Sequence, residues 1–402
     1  MTLGRPLHIL MMIHTRWSRN LGGSRVQLEL GEELCKLGCE VEKYSYENAF
    51  PEKERRRAGK FAGLAAVIRS NRSFSKCAIA WASENARRFD VIEAHQTDLP
   101  LSKIQLGFAG LLVARSVGLI PKYDDFDRWA ARRWPQEVTF RQRVHRLLTL
   151  PASRRRSRDV LPSFHHADLI NVSNCDDLST VRGGMGFGDK VVCFPFGISD
   201  ARRAAFDAAA LPPAVRLPSK TIAFIGTWNS RKGSRDWPDI FVRLRARIPQ
   251  AKLLLLGTGI SEVQVRQDFP ADAQSAITVI PAYESDELPR LLAGATAGAF
   301  PGYLEGFGFS VLEKIAAGLS TIAYDAPGPR DILGRLRRQA MVPPGDTAAF
   351  ASALESILNL PEPAYAEQAR QCRQAAATFS WADIAKATLE TYRDRHTRLT
   401  HR

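Results

Sequence analysis

Short apolar runs alternate with helical patterns along almost the whole chain, and this alternation limits the fold more than any other feature. One series of runs opens with LHILMMI near the N-terminus, and a second opens with TIAFIGT after Lys220. Strands that are separated by helices form parallel sheets, which helices cover on both faces. The pattern therefore predicts an α/β protein with two doubly wound domains, and 402 residues are enough for both.

The individual runs locate the strands. In the first series the further candidates are CEVEKYS, FDVIEAH, LLVARSV, ADLINVS and KVVCFPFG, and in the second they are AKLLLLG, AITVIPAY, AGAFPG and STIAYDA. A first helix is predicted over SRVQLELGEELCKLG, because its apolar residues recur at helical spacing at Val26, Leu30, Leu34 and Leu37.

Composition suggests where the domains end. The stretch from Ile198 to Lys220 is rich in alanine and proline and has no strand pattern, which is typical of a linker. We therefore predict a first domain at 1–197, a linker at 198–219 and a second domain at 220–375. A helix within 376–402 is predicted to pack back on the first domain.

Charge and cysteine content indicate which partners and which cellular compartment the protein is suited to. With 56 Lys and Arg against 42 Asp and Glu, the net charge of +14 favours a polyanionic partner: nucleic acid, an acidic membrane surface or a phosphorylated ligand. The six cysteines contain no C-x-x-C pair, which argues against a disulfide framework or a zinc site and for a reducing compartment. No run reaches the roughly 18 apolar residues of a spanning helix. We expect a cytoplasmic protein whose membrane contact is peripheral.

An arginine-rich segment at 128–158 interrupts the alternation. Its apolar residues Phe140, Val144, Leu147 and Leu148 share one helical face, whereas Arg141, Arg143 and Arg146 lie on others. A basic amphipathic helix of this kind, with Trp129 and Trp134 nearby, suits an anionic membrane surface. An ordinary surface helix with solvated arginines would have the same pattern.

The segment YLEGFGFSVLE holds two glutamates, Glu305 and Glu313, eight residues apart. On one continuous helix they would lie about 12 Å apart along the axis and could not reach one small group. Gly306 and Gly308 instead favour a loop, which places Glu305 in the loop and Glu313 in the helix that follows. Ser310 and Glu313 also have the spacing of a capping box, so the residues alone leave Glu313 between a helix cap and a ligand contact.

Four further segments combine strands with polar or glycine-rich ends. Arg231 and Lys232 precede a glycine just after a strand. Two cations at this position could bind a diphosphate, or they could be a solvated pair at the surface. Gly22-Gly23 opens the first helix, either as a simple turn or as a place where a phosphate can come close to the backbone. Gly257-Thr258-Gly259 resembles part of a dinucleotide fingerprint but lacks the third glycine, which favours a tight turn. His95 ends a strand, where ligands commonly bind, although structural histidines are more frequent.

Taken together, these motifs resemble the family 4 retaining glycosyltransferases. The resemblance covers nearly the whole chain, through NLGGSRVQLELGEELCKLG, ADLINVSNCDDLSTV, FIGTWNSRKG, PGYLEGFGFSVLEKIAAGL and FSWADIA. It implies the GT-B fold, in which two Rossmann-like domains face each other across a cleft. It also implies transfer of a sugar, with retention, from a nucleotide-diphosphate sugar to a hydroxyl acceptor in polysaccharide or glycolipid synthesis. No cofactor, metal or nucleic acid is expected.

The resemblance also implies roles for individual residues. Glu305 would contact the donor sugar near its reacting carbon, as the catalytic residue, and Glu313 would bind the ribose. Arg231 and Lys232 would neutralise the leaving diphosphate, with Gly23 approaching it from the first domain. The remaining donor contacts would come from Tyr283, along the nucleobase, and from the backbone around Phe307, Gly308 and Phe309.

Two positions depart from the family pattern. Thr227 stands where an arginine is usual, and Val117 stands where a histidine is frequent. Arg231 would replace the first, and His95 or Arg115 would serve on the acceptor side in place of the second. These departures keep open an alternative, in which the chain is a non-catalytic GT-B protein that binds a partner or a membrane.

Overall fold

The computed structural model describes residues 5–50, 63–135, 158–336 and 340–400, with side chains from residue 74 onward in the second range. Most of the arginine-rich segment, including every residue of its predicted apolar face, lies outside these residues. The chain divides into two compact units. Met1–Pro195 and Trp381–Arg402 form the first unit, and Phe196–Ser380 forms the second.

The first unit is built on a six-stranded parallel sheet. Its strands follow the order β2-β1-β3-β4-β5-β6, and each neighbouring pair is parallel. The strands are β1 His8–Ile13, β2 Glu40–Ser45, β3 Val91–His95, β4 Leu111–Arg115, β5 Leu169–Val172 and β6 Val191–Cys193. All six coincide with the predicted runs. Strands β3, β4 and β5 are buried along their whole length, as expected for a sheet that is covered on both faces.

The α-helices of the first unit with described bounds are Gly22–Lys36, Tyr46–Ala49, Gly63–Asn85, Lys103–Leu106, Ile120–Arg133, Cys175–Ser179 and Trp381–Thr400. The predicted helical spacing is confirmed in the first of them, where Val26, Leu30 and Leu34 are fully buried, although Leu37 lies just beyond its end and is exposed.

The C-terminal helix Trp381–Thr400 lies within the first unit, against the first helix. The indole nitrogen of Trp381 donates a hydrogen bond to Glu29, and the hydroxyl of Tyr392 donates one to Glu93 in β3. Glu93 is also held by Arg115 of β4, over 2.6 and 2.8 Å. Burial alone would raise the pKa of Glu93, but the charge of Arg115 outweighs it and lowers that pKa. The helix is thus joined to the sheet through a buried, hydrogen-bonded polar network.

The second unit repeats the architecture with the strand order β12-β11-β10-β7-β8-β9, again parallel throughout. The strands are β7 Thr221–Ile225, β8 Lys252–Leu256, β9 Ile277–Ile280, β10 Ala297–Phe300, β11 Thr321–Tyr324 and β12 Met341–Val342. Five of these were predicted, and β12 is too short to produce a pattern in the sequence. The α-helices are Asp200–Ala209, Pro213–Ser219, Trp237–Arg247, Glu262–Arg266, Leu288–Leu292, Phe309–Ala316, Pro329–Leu333, Thr347–Leu358 and Glu362–Ala377.

The stretch at 198–219, predicted as a linker, differs from that expectation. It forms the helices Asp200–Ala209 and Pro213–Ser219 within the second unit. Ser199 caps the first of these, and Phe206 is almost completely buried. The arginine of the second, Arg216, donates hydrogen bonds to the carbonyls of Ala293 and Ala317. Alanine favours helix strongly, so a composition that resembles a linker instead forms two packed helices.

Among the residues that the structure describes, none of the helices combines the length and the apolar character needed to cross a membrane.

Candidate functional site

The central cluster of the second unit lies at the carboxyl ends of β7 and β10, which are neighbours in the sheet. The chain passes from β7 to β8 on one side of the sheet, whereas β10 leads to β11 on the other. Ligands of open α/β sheets bind at such a switch point, where the loops leave in opposite directions and open a crevice. The loop after β7 carries Arg231 and Lys232, and the loop after β10 carries Glu305.

These three side chains form one ion-pair cluster. The ammonium group of Lys232 pairs with Glu305, and the guanidinium of Arg231 lies 3.4 Å from the same carboxylate oxygen. Burial alone would raise the pKa of Glu305, but the charges of Lys232 and Arg231 outweigh it and hold that pKa below its usual range. Glu305 is therefore ionised at neutral pH. Burial lowers the pKa of Lys232, and the charge of Glu305 opposes that shift. The cluster thus sets two basic groups against one carboxylate, which suits a phosphorylated ligand.

Backbone contacts hold the two loops together. The side chain of Asn229 accepts a hydrogen bond from the amide of Lys232, and Tyr303 donates its amide to the carbonyl of Arg231. Gly233 has a φ of 86°, and a Cβ there would lie 2.1 Å from the carbonyl oxygen of Pro301. Only glycine permits this approach, so the Arg-Lys-Gly sequence brings both cations to the loop after β10.

A second lysine lies beneath the cluster. Lys314 is fully buried in helix Phe309–Ala316 and donates a hydrogen bond of 2.8 Å to the carbonyl of Ala299. Its nitrogen lies 5.5 Å from the centre of the Phe300 ring, and that of Lys232 lies 5.0 Å from the same ring. Burial and the neighbouring charge of Lys232 lower the pKa of Lys314 to about 7. Sequence reasoning missed this residue, because a lysine within a helical pattern is normally exposed.

The glycine-rich loop is placed as predicted, but the predicted capping box is wrong. Glu305 lies in the loop and Glu313 lies in helix Phe309–Ala316. The helix begins after Gly308, whose φ of 105° is left-handed, and no side chain caps it. The buried hydroxyl of Ser310 has no hydrogen-bond partner among the described residues. Ser310 is already the second helical residue, two positions past the N-cap, and therefore cannot act as the cap.

Glu313 instead forms an ion pair with Arg202, which donates a hydrogen bond of 3.0 Å to it. The other terminal nitrogen of Arg202 donates one of 2.6 Å to the carbonyl of Ser285, beyond β9. Both partners are nearly buried. Sequence reasoning missed Arg202, since 111 residues separate the pair and the arginine lies in the segment predicted as a linker.

Aromatic packing supports the loop between the two glutamates. Phe307 is buried and its ring centre lies 5.0 Å from that of Phe196, 5.9 Å from that of Phe309 and 5.7 Å from that of Phe379. These side chains anchor the loop, whereas any contact of Phe307, Gly308 or Phe309 with a donor sugar would come from their backbone amides.

The loops after β7, β8 and β9 lie side by side at the same edge of the sheet. Tyr283 packs on Gly257, where a Cβ would be 3.2 Å from its ring. Gly257 and Gly259 both have a φ of 71°, and Thr258 is buried with its hydroxyl bonded to the carbonyl of Ile260. This is the geometry of the tight turn. Thr227 is exposed and accepts a hydrogen bond from Asn229.

In the first unit, Gly23 is the second residue of helix Gly22–Lys36, and a Cβ there would lie 3.9 Å from Val117. The glycine predicted near a phosphate is therefore adjacent to the position where a histidine was expected. Arg115 is almost fully buried and engaged with Glu93, which gives it a structural role in the polar network described above.

His95 ends β3 and is also buried, with its Nδ1 3.4 Å from the hydroxyl of Thr97. Its ring centre lies 4.7 Å from that of His14, a neighbour that sequence reasoning missed.

The comparisons with known proteins agree with this architecture. The two parallel sheets give the chain the GT-B fold. A sucrose-phosphate synthase from Thermosynechococcus elongatus superposes with a TM-score of 0.67 at 19% identity, over 96% of this chain and 98% of the other. The Anabaena protein HepE, solved with UDP and glucose, superposes with a TM-score of 0.65 at 13% identity, over 96% and 100%.

Within that fold, residues 212–379 match the model of the family described as Glycosyl transferases group 1. The predicted resemblance is thereby confirmed for the second unit. A D-inositol 3-phosphate glycosyltransferase from Mycolicibacterium paratuberculosis is 30% identical over 242 residues, which are 58% of this chain and 49% of the relative. The chain thus spans about half the length of the curated relatives it matches.

Proposed function

We propose that the protein is a retaining glycosyltransferase that moves a sugar from a nucleotide-diphosphate sugar to an acceptor hydroxyl. The observation that carries the proposal is the ion-pair cluster of Glu305, Lys232 and Arg231 at the switch point of a group 1 domain. UDP is the donor base that we propose to test first, because HepE was solved with UDP and with UDP-glucose.

In this proposal the two cations stabilise the leaving diphosphate. Lys232 and Arg231 carry more donors than Glu305 alone can satisfy, since an ammonium group offers three and a guanidinium five. Held by the turn before Gly233, they need little rearrangement when negative charge develops, which is the condition for effective electrostatic catalysis. Glu305, ionised and next to them, contacts the sugar near the reacting carbon.

Glu313 binds the ribose hydroxyls, and Arg202 orients its carboxylate through their ion pair. Tyr283, beyond β9, lies along the nucleobase. The amides around Phe307, Gly308 and Phe309 hold the sugar. These roles rest on the family resemblance and are compatible with the positions of the side chains within each unit.

The experiment is calorimetric titration with UDP, followed by assays of UDP-glucose turnover. We expect Lys232→Ala to weaken UDP binding roughly 10- to 100-fold, the equivalent of one charged hydrogen bond of about 1.5–3 kcal/mol. Glu305→Gln is expected to lower kcat on the order of a hundredfold with a smaller effect on UDP affinity. Glu262→Gln, which removes an exposed carboxylate of the same unit, is the matched control.

Unchanged UDP affinity in Lys232→Ala would contradict the assignment of the site. The alternative of a non-catalytic binding protein is favoured by Val117 beside Gly23 and by the exposed Thr227. It predicts that no nucleotide sugar of a full panel is hydrolysed or transferred, even where the nucleotide binds.

We further propose a lipid-linked or polysaccharide acceptor and a cytoplasmic, peripheral position on an anionic membrane. The support is the net charge of +14 and the exposed Trp129, which packs against Trp134 at the basic end of helix Ile120–Arg133. Sedimentation with anionic vesicles, weakened by salt, is the expected result. Equal sedimentation with neutral vesicles would contradict it.

A further inference from the structure

Three ligand-type side chains meet at the carboxyl ends of β1 and β3 in the first unit. His14 directly follows β1, His95 is the last residue of β3, and Asp98 lies three residues further on. The two strands are neighbours, and the chain leaves them toward opposite sides of the sheet. This is the switch point of the first sheet, where ligands of open α/β sheets bind.

The three side chains converge on a small space. Nδ1 of His14 lies 3.1 Å from one carboxylate oxygen of Asp98 and 3.4 Å from the other. Nδ1 of His95 lies 4.0 Å from the first oxygen. One nitrogen from each imidazole and one oxygen of Asp98 all lie within 4.8 Å of one another. Ligands about 2.0–2.2 Å from a tetrahedral metal ion are separated by roughly 3.3 Å, so small side-chain shifts would complete the geometry.

Neighbouring groups fix these ligands in place. The hydroxyl of Thr97 donates to the same oxygen of Asp98 over 3.3 Å and lies 3.4 Å from Nδ1 of His95. The amide of Asp98 donates to the carbonyl of His95 over 2.9 Å, which closes a tight turn. The side chains of His95 and Asp98 are about 5% exposed, and that of His14 is 14% exposed. Thr97 thus holds His95 and Asp98 next to each other, and hydrogen bonds to neighbouring groups are the usual support of a metal site.

We propose that His14, His95 and Asp98 bind a divalent first-row transition-metal ion, with Zn²⁺ as the probe of choice. Imidazole nitrogen suits zinc and its neighbours, whereas Mg²⁺ prefers oxygen ligands. Three protein ligands leave a coordination position for an oxygen of a bound molecule, as in sites where the ion contacts a substrate. The site departs from the expectation that no metal is bound, and it stands independently of the proposed glycosyl transfer.

The test is a titration of the full-length chain with Zn²⁺, after treatment with EDTA and its removal, in competition with a chromophoric chelator. We expect one tightly bound equivalent, accompanied by a rise in melting temperature that Mg²⁺ does not produce. Co²⁺ is expected to show the visible absorption of a tetrahedral complex. Absence of saturable Zn²⁺ binding to the wild-type chain would overturn the proposal.

Variants locate the ion. His14→Asn and Asp98→Asn should each abolish the tight equivalent, and Thr97→Val should weaken it about 10- to 100-fold, as loss of a supporting hydrogen bond does. The matched control replaces both His165 and His166, a partly exposed pair of the same unit, by asparagine and should retain it. Melting in EDTA shows whether each variant folds. Tight binding that persists in folded His14→Asn, or that is lost in the control, would overturn the assignment.

Discussion

The two units share one architecture but differ in the chemistry at equivalent places. Each has six parallel strands, and each sheet has its switch point beside the first strand of its unit, β1 or β7. In the second unit that place holds two cations and a carboxylate, a set suited to phosphate. In the first it holds two imidazoles and a carboxylate, a set suited to a metal ion. The fold provides the position, and the side chains after the strands determine what it can bind.

The units also differ in how they use buried charge. Glu93 and Arg115 of the first unit form an ion pair, and Tyr392 of the C-terminal helix bonds to Glu93. These charges therefore hold the helix against the sheet. In the second unit Lys314 is buried without a carboxylate that bonds its nitrogen among the described residues, and its hydrogen bond goes to a backbone carbonyl. The stability of the first unit should therefore depend little on the ionisation of its buried pair near neutral pH, whereas the stability of the second should change with pH through Lys314.

The largest effect is expected from Arg115→Met. Removal of one partner leaves Glu93 buried without its counter-charge, which typically costs about 3–5 kcal/mol of stability. We expect faster hydrogen exchange in helix Trp381–Thr400 and in β3, measured peptide by peptide, and unchanged exchange in β7–β11. The double variant Glu93→Met/Arg115→Met is the control and should recover most of the loss. If the double variant is as unstable as the single one, the loss comes from packing and not from charge.

A smaller effect, with a defined sign, is expected from Lys314→Met. Folding lowers the pKa of Lys314 to about 7 from its ordinary value of 10.5, chiefly through burial. Between these values the unfolded chain binds more protons than the folded one, so stability rises with pH by up to about 1.4 kcal/mol per unit. Urea unfolding at pH 7, 8 and 9 should show this rise in the wild type and a flatter profile in Lys314→Met. Lys252→Met, at an exposed lysine of β8, should keep the wild-type slope.

The sequence predicted most of the fold because the strands carry their own signal. The runs FDVIEAH and TIAFIGT are apolar, short and bounded by polar or glycine residues, which is what a doubly buried strand requires. Strand β12 has two residues and therefore no period. The two helices at 198–219 were missed for a different reason. The alanines and prolines of this stretch form no amphipathic pattern in the sequence, and the burial of Phe206 is visible only in the structure.

The sites were less predictable, because they depend on strand order and on distant partners. Glu305 and Lys232 were recognised separately, but only the pairing of β7 with β10 brings them together. The spacing of Ser310 and Glu313 suggested a cap, yet the helix begins directly after the left-handed Gly308, so Ser310 lies inside it. Glu313 instead forms an ion pair with Arg202, which lies in a distant segment of the sequence. His14 was missed because nothing local connects it with His95, 81 residues further on.

The smallest effect is expected from Arg202→Gln, which tests whether Glu313 depends on its distant partner. Loss of the ion pair removes an orienting hydrogen bond of 3.0 Å but leaves the carboxylate in place on its helix. We therefore expect UDP affinity to fall about 5- to 10-fold, near 1 kcal/mol, with kcat almost unchanged. Arg203→Gln is a close control, since the adjacent arginine pairs with the exposed Asp200 and should tolerate the change. An equal loss in both variants would mean that Arg202 stabilises its helix and does not position Glu313. A loss in Arg202→Gln that disappears in the background of Glu313→Gln would show that the two residues act as one unit on the nucleotide.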